Sequence, residues 1–209
     1  MFENIKGVIF DCDGVLFESR RANLAYYNAI LSQFDHPLVD ENDTEKTAIC
    51  HAAASPEVFR LLLGEDRVAE ALQLSSQLHY QQFIPWMEPE PGLFEVLQEL
   101  SASRPLAVAT NRGTSMDEIL RHFQIDRFFE AVVTSRDVSR PKPHADMLLL
   151  AAERLALPLN QLLFVGDSIY DKMAAESAGI RFAAYKPQFE QEPYLTSHAE
   201  LAGLLRSVR

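Results

Sequence analysis

The sequence predicts an α/β protein, a parallel sheet covered by helices on both faces, with a helical unit inserted after the first strand. Three observations carry this expectation. Short β-branched runs recur along the chain, helix-patterned stretches alternate with them from about residue 90, and the interval 17–88 has helical pattern without a convincing strand.

The first strand is expected over residues 7–10. Its apolar run is short and is interrupted by Asp11 and Asp13, which suits neither a membrane span nor a signal peptide. A first helix is expected over 20–34, with the polar or proline-containing stretches 36–43 and 55–56 separating later helices. Pro85, Pro89 and Pro91 in IPWMEPEPG form a stiff connector back into the sheet. Strands at 106–109, 131–134, 162–165 and 181–185 follow. Between them Leu93, Val96, Leu97 and Leu100 recur at helical spacing. So do Met116, Ile119, Leu120 and Phe123, and then Met147, Leu148, Ala151 and Leu155. Residues 1–16 with 89–209 are therefore read as the sheet domain and 17–88 as the helical domain.

Hydrophobic residues make up 47% of the 209 and charged residues 23%, the usage of an ordinary globular protein. Nineteen basic against 30 acidic residues give a net charge of −11, which argues against a nucleic-acid or anionic-membrane partner. An anionic ligand has to be held locally, by a few cations, backbone N–H groups or a metal. The helical domain is itself acidic, five basic residues against eleven acidic, and is read as a solvated face. Two cysteines, without metal-ligand spacing or a disulfide framework, fit a reducing, cytoplasmic compartment.

Ligands of open parallel sheets bind beyond the carboxyl ends of the strands. Those positions hold Asp11 and Asp13, then Thr110 and Asn111, then Gly166, Asp167 and Ser168 with Asp171 just beyond, and Lys142 between two prolines. Carboxylates converging on one edge repel and raise one another's pKa unless a cation neutralises them, and oxygen donors of this kind suit Mg2+. Asp11 fits a nucleophile towards phosphorus, Asp13 an acid/base partner, and Lys142, the Thr110 hydroxyl and nearby N–H groups a cradle for the transferring group. Blander readings stand beside these. Asp11 and Asp13 can start a turn before Gly14, Thr110 and Asn111 can cap a helix, Asp171 can complement a helix dipole, and Lys142 can be an exposed loop lysine. Cys12 is read as pointing into the core. His36, His51, His79 and His122 are read as scattered structural residues, with Arg20, Arg21, His51 and Tyr80 as candidate substrate contacts.

DCDGV, the TN pair, the lysine of RPKP and GDSIYD stand in the order seen in the haloacid dehalogenase-like superfamily, and the chain resembles it from residue 7 to about 179. The helical insertion is similar to the cap of the phosphoglycolate phosphatase and β-phosphoglucomutase branch. The resemblance implies a Rossmann-like core with the first strand central. It implies Asp11 as nucleophile and metal ligand, Asp13 as acid/base with its carbonyl on the metal, Asp167 as a further ligand, and Asp171 with Ser168 in support. Thr110, Asn111 and Lys142 would bind the phosphoryl group. A Mg2+-dependent phosphatase acting on a small phosphorylated metabolite is expected. The runner-up is a sugar-phosphate mutase, whose cap pattern is not found around TEKTAICH, and behind it a non-catalytic phosphate-binding homologue.

Overall fold

The computed structural model describes residues 4–206. Its central feature is a five-stranded, wholly parallel sheet built from β1 (Gly7–Phe10), β4 (Leu106–Thr110), β5 (Ala131–Thr134), β6 (Leu162–Gly166) and β7 (Arg181–Ala184), in the order β5-β4-β1-β6-β7. Ile9 of β1 pairs with Ala107 on one side and Phe164 on the other. β1 is central, and the chain proceeds to opposite edges from its two neighbours, which opens a crevice at its carboxyl end.

Side chains alternate across the sheet, so β1 feeds two apolar layers. Val8 and Phe10 pack with α5 (Leu93–Ser101), α6 (Met116–His122) and α9 (His198–Arg206), through Leu97, Leu100, Ile119, Leu201 and Leu205. Ile9 faces the other way, onto α7 (Asp146–Arg154) and α8 (Ile169–Ala178), through Met147, Leu148, Ala174 and Ala175. Both faces being covered explains why the strands read as unbroken apolar runs. Ala174, Ala175 and Ala178 lie in that second layer, and Gly179 ends α8 in the left-handed conformation, φ 70°.

Between β1 and β4 the chain forms α1 (Arg20–Leu31), α2 (Thr44–Ala52), α3 (Ser55–Leu63) and α4 (Val68–Gln77). Tyr27, Ile30, Cys50, Val58, Phe59 and Ala71 give these helices an apolar cluster of their own. The first helix is shorter than expected: it tightens to a 3-10 turn over Ser32–Phe34, and Asp35 takes φ 50°. Ser55 and Pro56 open α3 instead of separating helices, since proline is tolerated in a first turn, where its missing N–H has no partner to lose. The interval also has strand character at its margins, where the two-residue strands β2 (Phe17–Glu18) and β3 (Glu88–Pro89) pair antiparallel and clamp its two connectors together. No acidic residue within it is buried, so its negative charge is solvated as read. Among the described residues no helix is long and apolar enough to cross a membrane.

The C-terminal helix braces the loop after β1. His198 is fully buried, donates from Nε2 to the Val15 carbonyl (2.9 Å) and stacks on Tyr185. Burial pushes its pKa down to about 4. The unfolded chain therefore binds a proton that the native state refuses between about pH 6.5 and 4. This contribution to stability is complete above the upper value and is lost as pH falls. Urea unfolding should show a decline of roughly 2 kcal/mol between pH 7 and 5 from this group, absent in His198→Gln. An equal decline in both proteins would refute the assignment.

Candidate active site

β1 delivers Asp11 to the crevice, where its N–H donates to the Val165 carbonyl (2.9 Å) and continues the ladder by one residue. The chain then turns sharply, with the N–H groups of Leu16 and Phe17 both on the Cys12 carbonyl and that of Gly14 on Phe17. Gly14 has φ 74°, and a Cβ there would stand 2.2 Å from Asp167 Oδ2. Glycine is thus required for both conformation and space. Cys12, between the two aspartates, is wholly buried, as read.

β6 delivers Asp167, and Ser168 begins α8. Ser168 Oγ accepts from the Asp171 N–H (3.2 Å) while Asp171 Oδ2 accepts from the Ser168 N–H (3.0 Å), a reciprocal cap. Capping and a place in the cluster coexist at Asp171. Carboxylate oxygens of Asp11, Asp167 and Asp171 lie within 4.8 Å of one another, and all three residues are buried.

Lys142 reaches this cluster and is 2% exposed, so it is not an exposed loop lysine. Its Nζ donates to Asp171 Oδ1 (2.6 Å) and the Ala109 carbonyl (3.0 Å). It also lies 2.7 Å from Asp11 Oδ1, an ion pair whose angle leaves that oxygen without a hydrogen bond. Burial works against the lysine's charge, but Asp11 and Asp171 outweigh it and raise its pKa. At Asp11 burial and the neighbouring Asp171 raise the carboxyl well above its ordinary range despite Lys142. Asp167 is raised too, by burial first, with His51 opposing.

Asp13 belongs to a second network. Its Oδ1 accepts from the Ser19 hydroxyl, from Asn23 Nδ2 (3.0 Å) and from Arg112 Nη2 (2.6 Å). Arg112 Nη2 also donates to Asn23 Oδ1 (2.7 Å), to which the Tyr80 hydroxyl donates as well (2.8 Å), and its guanidinium lies 4.7 Å from the Tyr80 ring centroid. Burial raises the pKa of Asp13, but Arg112, His51 and the Ser19 hydroxyl more than offset this and lower it. This carboxylate joins the sheet to α1 and to Tyr80.

Thr110 is buried and its Oγ1 accepts from the Arg112 N–H (3.2 Å), which leaves its hydroxyl proton available. Neither Thr110 nor Asn111 caps α6, whose N-cap is Ser115. The side chain of Asn111 is engaged elsewhere. Both protons of its amide are engaged by the Ala52 and Lys142 carbonyls (2.9 and 3.0 Å), and Oδ1, which has no partner, cannot donate to a phosphate. Its side chain holds the Lys142 loop against α2.

Sequence reasoning missed Arg112, Ser19 and Asn23, and underrated His51, whose Nε2 lies 3.5 Å from Asp167 Oδ2 at 4% side-chain exposure. Tyr80, a candidate substrate contact, is 5% exposed, belongs to the Arg112 network and lines the cavity between the helical unit and the sheet, whereas Arg20 and Arg21 are exposed. Arg112 follows Thr110 and Asn111 directly, so the strand-end criterion already reached it.

Asp11 Oδ1 and Asp167 Oδ2, buried oxygens without a hydrogen bond, are of the kind a hard divalent cation takes. Asp171 is already satisfied by Lys142 and Ser168. The residues present fit such an ion.

A family model described as haloacid dehalogenase-like hydrolase matches residues 8–185. The chain is 30% identical over 201 residues to the phosphoglycolate phosphatase of Escherichia coli (strain K12), covering 85% of this chain and 80% of that protein. It is likewise 30% identical to the phosphoglycolate phosphatase of Salmonella typhi, covering 85% and 79%. Among solved structures, a HAD-superfamily hydrolase of subfamily IA, variant 1, from Geobacter sulfurreducens superposes with a TM-score of 0.82 at 36% identity, covering 96% of this chain and 99% of that one.

Arg112→Ala leaves Asp13 buried without its counter-ion, and urea unfolding should record a loss of about 3–5 kcal/mol. Adding Asp13→Asn should restore part of it, because the uncompensated charge goes. A double variant no more stable than Arg112→Ala alone would contradict the pairing.

Proposed function

The chain belongs to the haloacid dehalogenase-like hydrolase family and is a phosphatase, and from that premise we propose that it hydrolyses a small phosphorylated metabolite, with Mg2+, through an aspartyl-phosphate on Asp11. The observation that carries this reading is the buried cluster of Asp11, Asp167 and Asp171 around Lys142, with oxygens of Asp11 and Asp167 lacking any hydrogen-bond partner. Asp11, Asp167 and the Asp13 carbonyl would hold the ion, with Asp171 in support. When bound, it supplies positive charge against the carboxylates and the transferring phosphoryl group.

In the first half-reaction an Asp11 carboxylate oxygen attacks phosphorus and the bond to the ester oxygen breaks. The departing oxygen takes the proton of Asp13. In the second, water attacks the acyl phosphate, Asp13 takes its proton, and phosphate leaves with Asp11 regenerated. Lys142 holds Asp11 in place and offsets charge on the phosphoryl group, with the Thr110 hydroxyl and strand-end N–H groups on its oxygens. Ser168 fixes Asp171 through their reciprocal cap.

Residues 1–16 and 89–209 form the catalytic core in this proposal and 17–88 a cap that excludes water. The separate apolar cluster of α1 to α4 and the β2–β3 clamp support that division. So do contacts that the cap makes around the site, Asn111 on the Ala52 carbonyl and Tyr170 on Glu57 (2.9 Å). Phosphoglycolate, from the names of the relatives, is the reference ester to test. Two buried, free cysteines support a cytoplasmic location.

Phosphate release from phosphoglycolate or a generic aryl phosphate should require Mg2+ and cease on chelation. Asp11→Asn should abolish turnover, by at least about a thousandfold, with an unfolding midpoint equal to or above that of the wild type, since the amide removes a carboxylate whose ionisation is opposed by burial and by Asp171. Residual turnover in that variant would sink the covalent route. Asp13→Asn should slow both half-reactions by about a hundredfold or more. A trapped phosphoenzyme that breaks down at the wild-type rate would remove Asp13 from the second.

A further inference from the structure

The apolar cluster of α1 to α4 includes one side chain from outside residues 17–88. Tyr170, in the first turn of α8, packs against the cluster formed by Tyr27, Cys50, Val58 and Phe59, whose other described members all belong to the helical unit. Its hydroxyl donates to Glu57 Oε1 (2.9 Å), in the first turn of α3. Burial and the Glu57 carboxylate push this hydroxyl up to about 12, so at neutral pH it keeps its proton and serves as donor. The preceding residue, Ile169, stays 44% exposed, so it is Tyr170 alone of this pair that is drawn into the helical unit. The same turn carries Asp171, which is bound to Lys142 and capped reciprocally with Ser168. Asn23 ties α1 to the sheet through Arg112, and Asn111 ties down the end of α2. Tyr170 supplies the tie to α3.

We infer that Tyr170 and Glu57 form a latch that holds the helical unit closed over the carboxylate cluster, with Tyr170 a positioning residue of the reaction and not one of its reacting groups. This rests on the reading of residues 17–88 as a cap. The two connectors are held together by the backbone pairing of β2 with β3, which opening leaves intact. The Tyr170 contact is of another kind, one aromatic ring seated in an apolar cluster and one charge-assisted hydrogen bond. It can part without loss of any backbone hydrogen bond, since Tyr170 keeps its place in α8 and Glu57 its place in α3. Docked, the bond is shielded from water and strengthened; parted, both groups are solvated again. That is the balance a reversible closure requires.

Cys50 reports the closed state. It lines the cavity of about 420 Å³ between the helical unit and the sheet and is 3% exposed, and burial pushes its thiol up to about 12, so it reacts slowly while the unit is docked. Cys12, 0% exposed in the main core, is the internal control. Iodoacetamide labelling of the full chain, read by mass spectrometry on the two cysteine peptides, should be about tenfold faster at Cys50 in Tyr170→Phe than in the wild type, and unchanged at Cys12. Glu57→Ala should act alike, and Glu57→Gln, which keeps an acceptor, should act less. Tyr170→Phe combined with Glu57→Ala should label no faster than the faster single variant. Hydrolysis of phosphoglycolate with Mg2+ should show a KM raised several-fold and a kcat not lowered, because the latch is made alike in the ground and transition states. Wild-type labelling of Cys50 in Tyr170→Phe, equal acceleration at both cysteines, or effects that multiply in the double variant overturn the latch. So does a kcat that falls at constant KM, which would make Tyr170 part of the reacting site. Labelling needs no substrate: the expected labelling without phosphate release from any ester sinks the phosphatase reading and leaves the latch standing.

Discussion

Four carboxylates are buried at one edge of one sheet, and the surrounding structure is largely an answer to their charge. Asp11 and Asp13 are each 6% exposed, Asp167 1% and Asp171 not at all. Removing an ion from water costs several kcal/mol even after relaxation. Lys142 offsets part of this through Asp11 and Asp171, and Arg112 offsets part through Asp13. Two fixed cations against four acids leave a deficit, and it falls on Asp11 and Asp167, whose oxygens lack hydrogen-bond partners. The divalent cation of the proposed reaction would join the same electrostatic unit as the two basic side chains.

The same constraint ties the helical unit to the sheet. Arg112 cannot reach Asp13 as an isolated charge. It is held by Asn23 from α1 and lies over Tyr80, while Ser19 completes the shell of Asp13. Asn111 adds a bond to the end of α2, and His51, from the same helix, approaches Asp167. The helical unit is therefore docked by polar groups that converge on the carboxylates, as well as by the apolar contacts of Tyr80, Phe83 and Ile84 with the main core. A helical unit that moved would have to break the Asp13 network or carry part of it along.

The sheet was legible in the sequence because its strands are buried on both faces and so appear as apolar runs, each closed by polar residues at the carboxyl end. Asp11, Asp13, Asp167 and Asp171 were found by that rule and Lys142 by its place between two prolines beyond the third strand; the structure gathers Asp11, Asp167, Asp171 and Lys142 and sets Asp13 in the adjoining Arg112 network. Arg112 was overlooked because an arginine beyond a strand usually projects into solvent. Its burial is made favourable by Asp13 together with Asn23, and Asn23 lies on a helix whose register against the sheet the sequence does not specify. His51 was hidden for a related reason: one histidine on a nine-residue helix carries no periodic signal, and its neighbour Asp167 is over a hundred positions away. The extra strands β2 and β3 are too short to leave a pattern, and they exist because the two connectors must leave and re-enter the sheet side by side.

The charge environment also decides between the two aspartates of the first loop, though a naive reading points the wrong way. Burial and acidic neighbours hold Asp11 towards its neutral form, while Arg112 keeps Asp13 ionised. A nucleophile must be ionised and a general acid protonated, so by pKa alone the roles would be exchanged. Geometry favours the proposed assignment. Asp13 Oδ1 is enclosed by three donors, whereas Asp11 Oδ1 faces Lys142 and the cluster without a hydrogen bond. A cation against Asp11 and Asp167 would supply the charge that favours the Asp11 carboxylate. Asp13 acquires a proton readily only when its bond to Arg112 is loosened. Under the proposed reaction these are linked demands: the cation prepares the nucleophile, and rearrangement of the residues that join the sheet to the helical unit prepares the acid.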